Sequence, residues 1–359
     1  MEHAETHVIG GVDCHQQRHH AVALDSQGRR LGDQAFAATS QGYQQLLSWL
    51  QHFGRVQAVG VESTASYGAG LTRHLLTAAV RVIEVNQPHR QLRYRRGKSD
   101  PIDAEGAARK VLAGEATATP KDTTGDVEAI RQLHVVRASA VKARTAALAE
   151  LGELIVTAPA ALREDLSQAS TARARVRQCT RLRPLTDELH QPLQAAQLAL
   201  SSLSQRILAL EAEIARLDQH VLRLVTAAAP RTLGHLGVGP HTAAQLLITA
   251  GQNLERLGSE AAFAQLCGAA PIPASSGKTT RHRLNPGGDR QANAALYLIA
   301  VCRLRYCPRT RAYVVRRTTE GRSKRDIIRC LKRAIARELF HALLTDLRAL
   351  NAHQAAATP

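Results

Sequence analysis

Apolar residues fall in short, separated runs through the first ~120 residues. HVIGGVDCH, beginning at His7, reads as a short buried strand, and HHAVALDSQGRRLGDQAFAAT as two more strands joined by a glycine turn. SQGYQQLLSWLQHF carries apolar residues at helical spacing behind a serine cap at Ser40. VQAVGVEST is another buried strand, GLTRHLLTAA a helix and VRVIEVN a further strand. A hairpin followed by strand–helix alternation predicts a mixed sheet with helices packed on it, over residues 1–124.

From 125 to 228 the pattern becomes helical and rich in Ala, Leu and Arg. In SSLSQRILALEAEIARLDQHVLRLV, residues Leu203, Ile207, Leu210, Ile214, Leu217, Val221 and Leu224 alternate in steps of four and three. That is a coiled-coil seam over three heptads, and equally the stripe of a helix packed in an antiparallel pair within one chain. A third, mostly helical region is expected over 229–345. LGVGPHTAAQLLITAG is a glycine-punctuated turn running into a helix, either a packing corner or a place where backbone N–H groups meet a phosphate. PIPASSGKTTRHRLNPGGDRQANAALYLIAVCRL gives a polar, flexible loop before a buried helix. Residues 346–359 are expected to form a disordered tail.

Charge changes this picture from a generic α/β plus all-α chain to one built for a polyanion. The 359 residues include 47 Lys and Arg against 30 Asp and Glu, a net charge of +17, and the pI is near 10.4. Between Lys278 and Arg337 stand 17 basic residues and only three acids, Asp289, Glu320 and Asp326. Such a block predicts a surface for a phosphate backbone, with Lys278, Arg281, Arg283, Arg322, Lys324 and Arg325 as candidate contacts. A second basic run, Arg90, Arg93, Arg95, Arg96 and Lys98, is placed to grip RNA or DNA, or is a solvated helix end. Aromatics make up 3%, too few for binding that rests mainly on base stacking. Six scattered cysteines form no CxxC pair, which points to reduced thiols rather than a zinc ribbon or disulfide framework. No apolar stretch approaches the ~20 residues of a membrane span, and MEHAETHVIGG does not read as a signal peptide, so no membrane partner and a cytoplasmic location are expected.

Four acids stand out against the basic background. Asp13 ends the first apolar strand in GVDCH, and Glu62 ends a later one in GVEST. Charge at the end of a core strand is costly unless something pairs it. Asp100 and Asp103, in KSDPIDA, follow the Arg/Lys run. Separately, Asp100 can cap a helix with Pro101 at its first position, Asp103 can sit in the first turn, and Glu62 can cap the helix after it. Together, two strand ends and a helix carrying D-x-x-D can bring four carboxylates to one divalent-metal site, for which Mg²⁺ suits hard oxygen ligands and phosphate. His15, His19 and His20 read as exposed strand-end side chains.

The ordered set in GVDCH, GVEST and KSDPIDA resembles the DEDD domain of the bacterial insertion-sequence "one-ten" transposases, though here a proline lies between the two aspartates. The resemblance implies a RuvC-like variant of the ribonuclease H fold at the amino terminus, a coiled-coil linker, and a carboxy-terminal transposase domain bearing a nucleophilic serine. LGVGPHTAAQLL, FAQLCGAAPIPASSGK and NPGGDRQANAAL resemble that domain's landmarks in order, which maps the serine to Ser276, next to Gly277, with Ser275 the alternative. It implies a bacterial, nucleoid-associated recombinase acting on donor and target DNA through a serine–phosphate intermediate with Mg²⁺. A structured non-coding bridge RNA would guide it, and it would work as a dimer or tetramer in which one protomer's acids serve another's serine. Two rivals remain: a metal-dependent, junction-resolvase-like endonuclease using water, and a non-catalytic nucleic-acid-binding protein.

Overall fold

The structure is a computed structural model that describes residues 7–85, 99–277 and 282–357. Two compact units divide the chain: Met1–Gly125 with Ala250–Phe263, and Asp126–Thr249 with Ala264–Pro359.

In the first unit the strands are β1 (His7–Cys14), β2 (Arg18–Asp25), β3 (Arg30–Ala37), β4 (Arg55–Glu62) and β5 (Val82–Val85). They form one sheet in the order β3-β2-β1-β4-β5, with β1, β2 and β3 antiparallel and β1, β4 and β5 parallel. The expected mixed sheet is therefore present. Helices α1 (Ser40–His52) and α2 (Ala69–Thr77) cover one face, where Val8, Val12, Cys14, Val59 and Val61 pack with Leu46, Leu50, Leu71 and Leu75. The cap of α1 is Thr39, not Ser40: the Thr39 hydroxyl accepts from the Gly42 amide at 3.1 Å.

Helix α3 (Asp100–Leu112) covers the other face with Ala104 and Ala108 against Ile9, Val22, Leu24 and Ala58. The approach is so close that a Cβ on Gly11 would meet the Ala104 carbonyl oxygen at 2.2 Å, and one on Gly60 would meet Val111 at 2.8 Å. Small residues on both sides, Gly11 and Gly60 below and Ala104, Ala107 and Ala108 above, are what let the helix lie on the sheet. Residues 250–263 complete this unit: Asn253 accepts from the Asp122 amide and donates to the Pro120 carbonyl, and Arg256 donates to the Thr119 carbonyl.

The second unit is mostly helical. Helices α4 (Gly125–Thr157) and α7 (Pro192–Ala228) run antiparallel. Arg137 pairs with Asp218 at 2.6 Å, while Ala147, Leu151 and Ile155 share a core with Leu200, Leu203 and Ile207. Short helices α5 (Ala160–Ser167) and α6 (Ala172–Cys179) close that core through Leu162, Leu166, Val176 and Cys179. Of the α7 seam, Leu203, Ile207, Ile214, Leu217 and Val221 are buried within the chain. Beyond come α8 (Pro230–Leu233), α9 (Pro240–Ala250), α10 (Glu260–Leu266), a two-residue ladder of β6 (Ile272–Pro273) with β7 (His282–Arg283), α11 (Arg290–Tyr306), α12 (Pro308–Thr319) and α13 (Lys324–Ala357).

The tail expected from residue 346 is instead the end of α13, helical through Ala357. Its apolar stripe continues through Leu347 and Leu350, both buried, and Asp346 is buried too. Asp346 accepts from the Arg231 and Thr232 amides and the Thr232 hydroxyl, at 3.1, 2.8 and 2.7 Å, satisfying the first amides of α8. Among the described residues, no helix is long and apolar enough to cross a membrane.

Candidate metal centre and nucleic-acid surface

Asp13 and Glu62 are brought side by side by strand register. Val12 is level with Val61 on the parallel neighbour, so the next residues, Asp13 and Glu62, stand together at the carboxyl ends of β1 and β4. Alternation along each strand sends Asp13 to the same face as Ile9 and Gly11, and Glu62 to that of Ala58 and Gly60, the face under α3.

The first turn of α3 carries Asp100 and Asp103, both near enough to Asp13 for their charges to act on it. Ser99 holds the cap position, and the Asp100 carboxylate meets the His15 ring at 3.4 Å. Asp103 is buried at 4% exposure and Asp13 at 8%, whereas Asp100 is half-exposed. Burial pushes the Asp13 carboxyl above its ordinary pKa, the charges of Asp103 and Asp100 push the same way, and His15 opposes them. An ordinary pairing for packing would lower it; here negative charge is concentrated where a cation would relieve it. On the opposite face burial raises the Cys14 thiol strongly, helped by the Asp13 and Glu62 charges, so that thiol is inert.

Two of the three histidines, His19 and His20, depart from the exposed strand-end picture. His15 is exposed, but its Nε2 lies 3.2 Å from Asp13 Oδ2 as well as near Asp100. The ligand atoms of Asp13, His15 and Asp100 all lie within 4.8 Å of one another. His20 stands directly across from Asp13 in the β1–β2 ladder and bonds Asp33 at 2.8 Å. His19 is wholly buried on the other face, stacked on Tyr43.

A buried acid on α3 had no place in the sequence pattern: Glu105, 4% exposed, bonds Arg109 at 2.7 Å, with Arg30 at 3.6 Å. The i,i+4 spacing of Glu105 and Arg109 was the available signal. Its partners make it a structural ion pair.

Ser276 lies in the loop between β6 and β7, exposed, with Gly277 at φ +54°. The base of this loop is held by hydrogen bonds. Asn293 donates to the Cys267 and Gly268 carbonyls at 3.1 and 2.9 Å, and Lys332 donates to Asn293 at 2.7 Å. Gly288 approaches Gly268 so closely that a Cβ would meet its amide nitrogen at 2.2 Å. Asp289 caps α11 through the Gln291 and Ala292 amides and accepts from Thr249 at 2.7 Å. The QLCGAAP and NPGGDRQAN segments are thus clasped together at the foot of the serine loop.

Of the candidate basic contacts, Arg283, Arg322, Lys324 and Arg325 are exposed. Arg90, Arg93, Arg95, Arg96, Lys98, Lys278 and Arg281 lie outside the described residues. Part of the basic block is spent internally: Arg303, 8% exposed, donates to Glu338 at 2.7 and 3.0 Å and to the Leu236 carbonyl, and Arg329 pairs with Asp326.

Residues 10–158 match a family model for DEDD transposases of the IS110 type, described as "Transposase". Residues 233–315 match a second, "Transposase IS116/IS110/IS902 family". An "Insertion element IS110 uncharacterized 43.6 kDa protein" of Streptomyces coelicolor is 33% identical over 150 residues, 41% of this chain and 35% of that protein. The match thus spans about a third of that relative's length. Both family models describe transposases, and they fall in order on the unit with the acidic cluster and on the part with the serine loop. The chain belongs to the IS110 family of transposases.

Proposed function

We propose that this protein is a DNA transposase that cuts and rejoins strands through a serine–phosphate intermediate, with the acidic cluster as its metal site. The observation that supports the reading is Asp13, at the end of β1, lying within reach of the Asp100 and Asp103 charges of α3, with Glu62 at the end of the adjacent parallel strand. The donor set fits Mg²⁺: hard carboxylate oxygens on three elements, with Asp13 held at raised pKa by burial and like charge. Asp13, Glu62, Asp100 and Asp103 would hold it, in a RuvC-like domain spanning about residues 1–124. When bound, the ion would neutralise charge developing on a phosphodiester.

Ser276 supplies the nucleophile. Its hydroxyl gives up its proton as the oxygen bonds the scissile phosphorus, the bond to the leaving sugar oxygen breaks, and that oxygen takes up a proton. A strand hydroxyl then attacks the serine–phosphate link and restores the serine. Ser276 is exposed, which suits a nucleophile that must reach DNA, and the clasped Gly268/Gly288 segments flank its loop. Arg283, Arg322, Lys324 and Arg325, with Lys278 and Arg281, grip donor and target DNA by the backbone. The run Arg90, Arg93, Arg95, Arg96 and Lys98 serves a structured non-coding guide RNA, which fits a chain with no evident base-reading module. Homo-oligomeric assembly and a place beside bacterial DNA in the cytoplasm complete the proposal.

Strand exchange on DNA carrying the element's ends, assayed with the element's RNA and Mg²⁺, tests it. Asp13→Ala, Glu62→Ala and Ser276→Ala should each abolish joined product. If Ser276→Ala still cleaves as well as the parent chain, the protein is a metal nuclease that uses water.

A further inference from the structure

We infer that His15 is a ligand of the metal in this site, so that the first coordination shell contains an imidazole nitrogen as well as carboxylates. The inference rests on the metal-site reading above and deepens it. His15 follows Asp13 by two, which puts both side chains on the α3 face of an extended chain. Its backbone is fixed there, because the His15 amide donates to the Arg18 carbonyl at 3.0 Å and closes the β1–β2 hairpin. Its Nε2 then lies 3.2 Å from Asp13 Oδ2 and 3.4 Å from Asp100 Oδ1, oxygens that belong to a strand and to a helix.

Those two separations have a geometric meaning. In an octahedral shell with bonds of about 2.1 Å, neighbouring donors stand roughly 3.0 Å apart. His15 Nε2 is within a few tenths of an ångström of that spacing from both carboxylates. A single ring N–H aimed at one oxygen explains one short distance but not two at similar length. An ion drawn between Asp13 and Asp100 would meet the nitrogen without any rearrangement of the backbone. The chemical consequence is selectivity. Carboxylate-only sites suit Mg²⁺, while an imidazole strengthens the hold on Mn²⁺ and later divalent ions more than on Mg²⁺.

The test uses the full chain with Mn²⁺ and Mg²⁺ alone, without nucleic acid. Pulsed electron paramagnetic resonance of the Mn²⁺-loaded protein should show coupling to one imidazole nitrogen, lost in His15→Ala. Calorimetric titration should show Mn²⁺ affinity falling about tenfold in His15→Ala, with a smaller change for Mg²⁺. Nitrogen coupling that is absent from the parent protein, or that survives His15→Ala and vanishes in His20→Ala, overturns the inference. So does tighter binding in His15→Ala, which would make the histidine a competitor for the cation. If neither ion binds the parent chain above the level of Asp13→Asn, the metal-site reading itself fails.

Discussion

Asp13 and Cys14 are neighbours in sequence and face opposite sides of the sheet, and that parity decides their chemistry. Asp13 points under α3 toward Asp100 and Asp103, while Cys14 is sealed among Val12, Val61 and Leu71. Strand-end acids were legible because an apolar run that stops at Asp or Glu has few structural excuses. His15 was not, since an exposed histidine after a strand has the same signature whether or not two carboxylates await it. Raised pKa at Asp13 has a thermodynamic sign. Its folded pKa exceeds the unfolded value, so the ionised group opposes folding once pH rises above the ordinary carboxylate range. Asp13→Asn should therefore raise the melting temperature at neutral pH in EDTA while it removes metal binding, read by calorimetry. A melting temperature that falls would mean that the carboxylate is a structural partner.

His19 carries the opposite sign. Burial lowers its pKa, against a backbone contact at Arg18 that favours the proton. The unfolded chain takes up the proton near the usual histidine value and the folded chain resists, so stability is lost as pH falls through that value toward the lowered one. His134 and His241, also lowered by burial, add to the same slope. Denaturant unfolding at pH 7 and pH 5 should show this loss, and His19→Phe should make it shallower.

At the level of elements, the strands and helices of the first ~120 residues follow their hydrophobic periods, and the mixed sheet was readable from them. How closely α3 sits on the sheet was not, although its cause is written in Gly11, Gly60 and the Ala-rich face of α3. Gly11→Val puts side-chain atoms where the Ala104 carbonyl and the Ala108 amide already lie, and should cost about 3 kcal/mol or more of stability. The same change should displace the Asp100/Asp103 turn and weaken metal binding, which chemical denaturation and metal titration would read on one sample. The α7 seam illustrates the limit of periodicity. The same four-three alternation serves an antiparallel partner within the chain, and Leu151 and Ile155 of α4 share its core. Likewise, a polar final segment concealed a buried stripe and the Asp346 contact to α8, because the partner lies more than a hundred residues away.

For the whole molecule, the +17 charge is the property most directly tied to function. Its distribution is less uniform than counting implied, since Arg303 and Arg329 are engaged internally and Arg322, Lys324 and Arg325 stand exposed at the turn into α13. Binding to duplex DNA should weaken steeply with salt, at about 0.9 logarithmic units per phosphate contact. Replacing those three residues together by alanine should lower that slope by roughly 2 to 3. Fluorescence anisotropy across a salt series would measure both, and an unchanged slope would place the DNA elsewhere. Residues 250–263, which pack with the amino-terminal unit through Asn253 and Arg256, could not be assigned by pattern, because their partners at Thr119, Pro120 and Asp122 lie some 130 positions upstream.

On the proposed mechanism, the serine and the acids serve one phosphoryl-transfer reaction. The protein, Mg²⁺, the element's RNA and end-labelled DNA, resolved on a denaturing gel, test it most directly. A labelled protein–DNA adduct should form with the parent chain and be missing from both Ser276→Ala and Asp13→Ala. Cleaved DNA without any adduct, at equal yield in Ser276→Ala, would mean that water and not the serine is the nucleophile.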